Sequence, residues 1–388
     1  MGNGAKRGLL IFLLLVLVFP MLQQSLAFFE SGKLNGAIVP SPDPTLSPDS
    51  WWDGSYQAKK TIYLNENMGC RPDLVRANNE IDFLLFEKLH ANGVVLGKDG
   101  FLFEEGYIKE YCGQDFIGKK MLREEAMKLR SLQDTIEHSG KVFVFIFAPS
   151  KAYFFSDKFP ADYRRLPRAS HTNYRVLKQM FDSLGINYID YNAWFVSLKN
   201  TSKDQLFTSL GTHWTIYGSL IAGDSLVRYI ARRLKCDLPE PRWTEVEHTV
   251  VPRSSDDDLA SGLNLIWQQN KEIFSYPKVS YAAEHRKKPA AIYIGDSFFW
   301  MWFGNNLMDH ISDDWEFWYY FNERWDKNVA SGKASLTYID KSDWRPVLFG
   351  ADYVVMEFNP GNLKGMNYGG SAIKRMYERI FPPEPAHP

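Results

Sequence analysis

Two rhythms of apolar and polar positions run along the chain. Val142-Phe143-Val144-Phe145-Ile146-Phe147-Ala148 is an unbroken apolar run, the pattern of a strand buried on both faces. Met121 to His138 precedes it with helical character, so a helix is predicted to feed this strand. The unit then repeats, with a helix predicted over Tyr174 to Leu184 and a short strand over Asn187 to Asp190. Farther on, Ile292, Tyr293 and Ile294 predict a buried strand that ends in Gly295-Asp296-Ser297. Tyr353 to Phe358 predicts the last strand, with Glu357 near its carboxyl end. Helix followed by buried strand implies an α/β fold with a mainly parallel sheet.

Other stretches fill in this outline. Leu74, Val75, Ile81, Leu84, Leu85 and Leu89 recur near helical spacing and predict an amphipathic helix over Arg71 to Asn92. Gly93 to Phe103 reads as a hairpin, two apolar runs around Lys98-Asp99-Gly100. Ile216, Leu220, Ile221, Leu226 and Ile230 mark the buried side of a helix from Thr215 to about Leu234. From Gly36 to Ser55 the chain is rich in Pro, Ser, Asp and Gly and reads as a linker or extended arm, and a Pro-rich tail finishes it.

At the amino terminus, Lys6 and Arg7 precede an apolar run from Gly8 to Phe19 that Pro20 interrupts. That is the pattern of an export signal, either cleaved near Ser25-Leu26-Ala27 or retained as an anchor. The basic pair keeps the inner side, so the rest of the chain is expected in the periplasm or cell envelope, with the membrane contacted through the amino-terminal segment. The predicted organisation is a signal peptide or anchor over 1–29, an extended arm over 30–69 and one α/β domain over 70–388.

A formal net charge of -1 across 388 residues gives no electrostatic case for nucleic acid. Cys70, Cys112 and Cys236 lack zinc-site spacing, so no structural metal is expected; a pair with one thiol left over and three free thiols both remain open. No phosphate-cradling glycine loop is present, and no cofactor is implied. Aromatic residues are dense after Ser297, from Phe298 to Phe303 and from Trp315 to Trp325; they read either as packing under the sheet edge or as a platform for a ring-shaped substrate.

Candidate chemistry collects at the predicted carboxyl edge of the sheet. Ser297, just past a strand, projects its hydroxyl where α/β sheets hold their ligands, although Gly295-Asp296-Ser297 equally suits a plain turn or a strand-to-helix cap. Lys151, in Pro149-Ser150-Lys151, belongs to the same edge and reads as a solvated surface lysine before a substrate contact. His213 stands at the entry of the helix that follows it, where the helix dipole disfavours the imidazolium and leaves a neutral ring, the form a general base needs; a structural histidine satisfied by a loop carbonyl is the other reading. Asp256-Asp257-Asp258 reads as a solvated loop or helix cap.

Taken together, Trp51-Trp52-Asp53-Gly54, the Arg71 to Leu89 helix, Gly97-Lys98-Asp99-Gly100-Phe101-Leu102-Phe103, Pro149-Ser150-Lys151, Gly211-Thr212-His213-Trp214 and Gly295-Asp296-Ser297-Phe298 follow one another in an order that resembles the AlgJ/AlgX-like alginate O-acetyltransferase family, over roughly residues 50 to 365. The resemblance implies an SGNH-hydrolase-like three-layer domain, with histidine before serine, a permutation of the usual motif order. It implies a serine that attacks an acetyl donor, a histidine that takes its proton, and an acid two residues before the histidine. Ser297 and His213 match. The acid's position is Gly211, so the orienting group is expected elsewhere: Asp190, Glu357 and the run Asp256 to Asp258 are the candidates, or a backbone carbonyl in a dyad. Asp296 is expected to fix the serine turn, and backbone amides of that turn to meet the oxyanion.

What the resemblance implies is an O-acetyltransferase that receives acetyl groups from a membrane-bound O-acyltransferase partner and places them on hydroxyls of an exported polysaccharide. A carbohydrate acetylesterase would use the same acyl-enzyme with water as acceptor. A polysaccharide-binding scaffold without catalysis is the reading that the missing acid at Gly211 suggests.

Overall fold

A computed structural model describes residues 2–36, 41–166, 169–267, 272–282, 287–364 and 372–382. The chain divides into two compact units, residues 1–92 with 260–269, and residues 93–259 with 270–388.

The first unit is helical. Its helix Asn3–Leu26 is long and apolar enough to cross a membrane and is compatible with either a signal or an anchor. Part of the predicted arm is helical as well. Ser47 accepts from Ser50 N in a capping box before Pro48–Trp52, and a second helix runs over Ser55–Glu66; local capping outweighs the Pro and Ser content. The helix predicted from Arg71 stops at Phe86, because Glu87 turns left-handed with φ 51° and Lys88 N–H closes on Asp82 O. It groups with this unit, so the division falls at Gly93.

The second unit is a three-layer α/β domain. A hairpin pairs β1 (Val94–Leu96) with β2 (Leu102–Glu104), as its turn residues predict. The central sheet holds β3 (Val142–Phe147), β4 (Tyr188–Asp190), β7 (Ala291–Gly295), β8 (Trp315–Tyr319), β9 (Glu323–Trp325), β10 (Thr337–Tyr338) and β11 (Tyr353–Phe358), in the order β10-β9-β8-β7-β11-β3-β4. Five strands from β8 to β4 are parallel, and β9 and β10 extend one edge antiparallel. A separate antiparallel ribbon joins β5 (Pro241–Thr249) to β6 (Phe274–Tyr281).

The apolar runs explain the layers. Alternate side chains of a strand point to opposite faces, and here both faces are covered. Phe143, Phe145 and Phe147 enter one core, with Ile292, Ile294, Val354 and Met356 of the neighbouring strands. Val144 and Ile146 enter the other, with Tyr293, Tyr353 and Val355. The helices Lys119–His138 and Asn173–Leu184 cover the first face through Leu122, Leu129, Ile136, Leu177 and Phe181. The helix Ile216–Leu234 covers the second through Ala222, Leu226, Val227 and Ile230. Each such fully buried side chain contributes about 1.5–3 kcal/mol, and the three central strands supply side chains to both cores.

Register sets the site. Phe358 pairs with Phe147, and Glu357 with Gly295, so β3, β11 and β7 end level. Residues just past β7 and β3 therefore share one edge, as predicted for Ser297 and Lys151. The aromatic density after Ser297 is largely packing: Phe298, Phe299, Trp302, Phe317 and Trp318 are all buried, with Phe299 stacked on Phe317 at 4.3 Å. No disulfide joins the three cysteines among the described residues; Cys70 is buried and Cys236 exposed. The Pro-rich tail, residues 383–388, and residues 37–40 of the arm lie outside the described residues.

Candidate active site

β7 delivers the serine. Gly295 is its last residue, and a Cβ there would meet Glu357 Oε2 at 2.8 Å. Glycine here leaves room for the buried Glu357 carboxyl and the close approach of β11; its backbone φ is not in the positive range. Asp296 then fixes the turn, as expected. Its Oδ1 accepts from Phe298 N at 2.9 Å, and its Oδ2 from Asn359 N at 2.7 Å and Asn362 Nδ2 at 2.6 Å. Burial pushes the Asp296 carboxyl above its ordinary range, against these three donors. Because Phe298 N–H is engaged by Asp296, it is not free to meet an oxyanion. Ser297 N–H donates to no partner among the described residues, and is the amide this turn still offers.

The segment 206–215 delivers the histidine. Thr215 N donates to Leu206 O at 3.0 Å, and Phe207 bridges Trp214, so the loop is closed at its base. Thr215 also caps the following helix by accepting from Gly218 N at 2.9 Å. Trp214 is fully buried and donates from Nε1 to Phe298 O at 3.0 Å, which fastens the histidine segment to the serine turn. His213 lies against the Phe298 ring at 4.7 Å, and its Nε2 stands 2.9 Å from Ser297 Oγ.

A carboxylate completes the series. His213 Nδ1 is 2.6 Å from Asp258 Oδ2, and Asp258 Oδ1 accepts from Thr212 N at 2.8 Å. With its second oxygen tied to the backbone, Asp258 holds the imidazole at Nδ1, so Nε2 presents its lone pair to the serine hydroxyl. Burial works against the imidazolium, but the hydrogen bond and charge of Asp258, with Glu104 and Asp296 behind it, more than offset it. His213 is thus raised above the ordinary histidine value. The dipole argument predicted the opposite shift. The helix starts only at Ile216, and a carboxylate in contact outweighs a helix end three residues away.

The other candidate acids have different duties. Asp190 caps the helix Tyr191–Leu198 through Ala193 N at 2.8 Å and binds Tyr174 and Lys178. Glu357 lies buried beneath Gly295, its carboxyl held well above the usual range first by burial and then by the charge of Asp296. Asp256 accepts from Tyr276 OH at 2.8 Å, and burial pushes it up to about 7. The acid sits in the predicted aspartate run, at its third member, and the sole cue in the sequence was the run itself. Gly211, where the acid was expected, is crowded: a Cβ there would meet Ser255 O at 2.4 Å and Asp256 O at 2.8 Å. The segment that brings Asp258 to the histidine passes over the place a side chain at 211 would occupy.

Lys151 is not the solvated surface residue expected. It is 1% exposed, and its Nζ donates to Ser209 O at 2.9 Å and Gly211 O at 2.7 Å. Its sequence neighbours gave no sign of this, since the carbonyls it meets come from about sixty residues away. The described residues hold no group of three or more His, Cys, Asp or Glu arranged to bind a metal ion.

Residues 94–298 match the model of the SGNH hydrolase-like domain of the acetyltransferase AlgX. The probable alginate O-acetylase AlgJ of Pseudomonas putida is 25% identical over 154 residues, covering 39% of this chain and 37% of the relative. The chain thus aligns with little more than a third of that relative's length. Among solved structures, the O-acetyltransferase domain of Pseudomonas putida AlgJ is similar at 20% identity and a TM-score of 0.49, over 74% of this chain and 99% of that one. AlgX of Pseudomonas aeruginosa is similar at 15% identity and 0.42, over 74% and 65%. With more than half of its length matched, this chain belongs to the AlgX family of SGNH hydrolase-like acetyltransferase domains.

Proposed function

We propose that this protein is an O-acetyltransferase of the cell envelope, using Ser297 as nucleophile, His213 as general base and Asp258 as the group that orients the histidine. The unbroken hydrogen-bonded series from Asp258 through His213 to Ser297, at 2.6 Å and 2.9 Å, carries this reading. Ser297 Oγ attacks the acetyl carbonyl of a donor as its proton passes to His213 Nε2. The tetrahedral adduct collapses, the donor's leaving oxygen takes that proton, and an acetyl-serine remains. A sugar hydroxyl then loses its proton to His213, attacks the acetyl carbon and leaves as the acetate ester, restoring Ser297. The Ser297 amide, at the start of its turn, is the donor for the developing oxyanion.

The acceptor is an exported polysaccharide, and the donor a membrane-bound O-acyltransferase. Names of relatives support the first, and the helix Asn3–Leu26, which would hold the domain at the outer face of the inner membrane in the periplasm, supports the second. The catalytic fold is the α/β unit, with the amino-terminal residues serving delivery to the envelope.

Incubating full-length protein with an activated acetyl ester and an oligosaccharide tests this. Acetylated oligosaccharide from the wild type, and no acetyl-enzyme from Ser297→Ala, is expected. Release of acetate alone would make the protein an esterase, and turnover surviving in Ser297→Ala would end the assignment.

A further inference from the structure

Lys151 has no part in the acyl transfer just described, yet it is fully buried at the carboxyl end of β3. Burying an ammonium is costly unless it is well bonded, and two carbonyls of the histidine loop bond it. One of them has a partner role. The Gly211 carbonyl and the Thr212 N–H are opposite ends of one peptide group; Lys151 Nζ donates to the oxygen at 2.7 Å, and the N–H donates to Asp258 Oδ1 at 2.8 Å. A peptide bonded at its oxygen by a cation becomes a stronger donor at its nitrogen.

We propose that Lys151 is a positioning residue, the fourth member of the series Lys151, Asp258, His213, Ser297, acting on Asp258 through the Gly211–Thr212 peptide group. This rests on the reading of Ser297, His213 and Asp258 as an acyl-transfer site. The rest of the loop is built to hold that peptide still. Glu272 accepts from Ser209 N and Ser209 Oγ at 2.9 Å and 2.7 Å, and Leu102 N donates to Ser209 O at 2.9 Å. Thr208 Oγ1 accepts from Gly211 N at 2.8 Å. The bare Cα of Gly211 lets the backbone at Ser255 and Asp256 close over the same peptide.

Charge gives the arrangement a second property. Asp258, Glu272 and Glu104 face Lys151 and favour its cation, but burial opposes them and prevails, bringing the amine down to about 7. A neutral amine keeps two N–H groups, so both carbonyls stay bonded in either state. What changes near neutral pH is the charge behind the peptide. The ammonium form strengthens Thr212 N–H, stabilises Asp258 as an anion and disfavours the imidazolium at His213.

The test is the labelling rate of Ser297 by a fluorophosphonate in full-length protein, followed from pH 5 to pH 9. Lys151→Met is expected to slow labelling by about ten- to a hundredfold, the loss typical of a charge-assisted hydrogen bond. It should also remove the inflection near pH 7 and move the acid limb to higher pH. Lys151→Gln, which keeps N–H donors without charge, should recover part of the rate and none of the inflection. In an Asp258→Asn background, Lys151→Met should add less than about a twofold loss, because the two act in series. Wild-type rate and profile in Lys151→Met would overturn the proposal, as would a loss that adds in full to that of Asp258→Asn, or failure of both position 151 variants to melt cooperatively. Labelling that persists in Ser297→Ala would instead overturn the reading of the site itself.

Discussion

Placing the acid back where the family pattern has it should harm this protein. A Cβ on Gly211 would stand 2.4 Å from Ser255 O and 2.8 Å from Asp256 O, where ordinary contact begins at 3.4 Å. Both obstacles are backbone, so the 255–258 segment must retreat by about 1 Å. That displacement would open the His213 to Asp258 contact from 2.6 Å to beyond hydrogen-bonding range. Misplacing an orienting group by about 1 Å costs on the order of a hundredfold in rate, and the strain costs about 1–3 kcal/mol of stability. Gly211→Ala tests the clash alone, and Gly211→Asp adds the carboxylate. Turnover of an activated acetyl ester by both variants should fall by about a hundredfold, with a melting temperature lower by about 3–10 °C. Gly211→Asp at or above wild-type turnover would refute this reasoning, since it would show that the position faces His213 with room for an acid.

Asp258→Asn should reduce the acetylation rate of Ser297 by about a thousandfold while leaving the melting temperature within a few degrees, because it stabilises the wrong histidine tautomer in unchanged packing; the single-turnover burst measures it. Asp256→Asn should lose less than about threefold by the same burst, since Asp256 engages Tyr276 and leaves the histidine alone. Glu110 gives a stability test away from the site. It is fully buried, and burial, with Asp115 nearby, pushes its carboxyl up to about 8 from an ordinary 4.5. The folded state therefore holds a proton that the unfolded state releases between those values, and wild-type stability should fall as pH rises from about 4.5 to 8. Denaturant melts should show Glu110→Gln gaining on wild type across that window; parallel curves would contradict it.

Much of this was legible because strand burial leaves a plain trace. The all-apolar run Val142 to Phe147 and the run into Gly295 both became central strands, and the serine and histidine motifs came together as the family resemblance implied. Strands β8 and β9 were hidden, because a dense run of aromatic residues looks like a platform as readily as a strand. Asp258 was legible only as one of several candidate acids, and Lys151 was hidden, for a different reason. Each acquires its role from a partner distant in sequence, Asp258 from His213 and Lys151 from Gly211, and neither carries a local pattern. The sign of the His213 shift failed likewise: a helix dipole can be inferred from neighbours in sequence, a carboxylate 45 residues away cannot.

Nucleophile, base and acid come from three segments, with sequence separations of 84 between serine and histidine and 45 between histidine and aspartate. Contacts of that span form only when the chain has closed its long loops. The three groups meet only once those loops have closed, so reactivity at Ser297 is expected to switch on with the completed fold. Active-site titration of a preparation consequently counts correctly folded molecules, and a destabilised variant should lose titratable sites in proportion to unfolded chain while each surviving molecule reacts at the full rate.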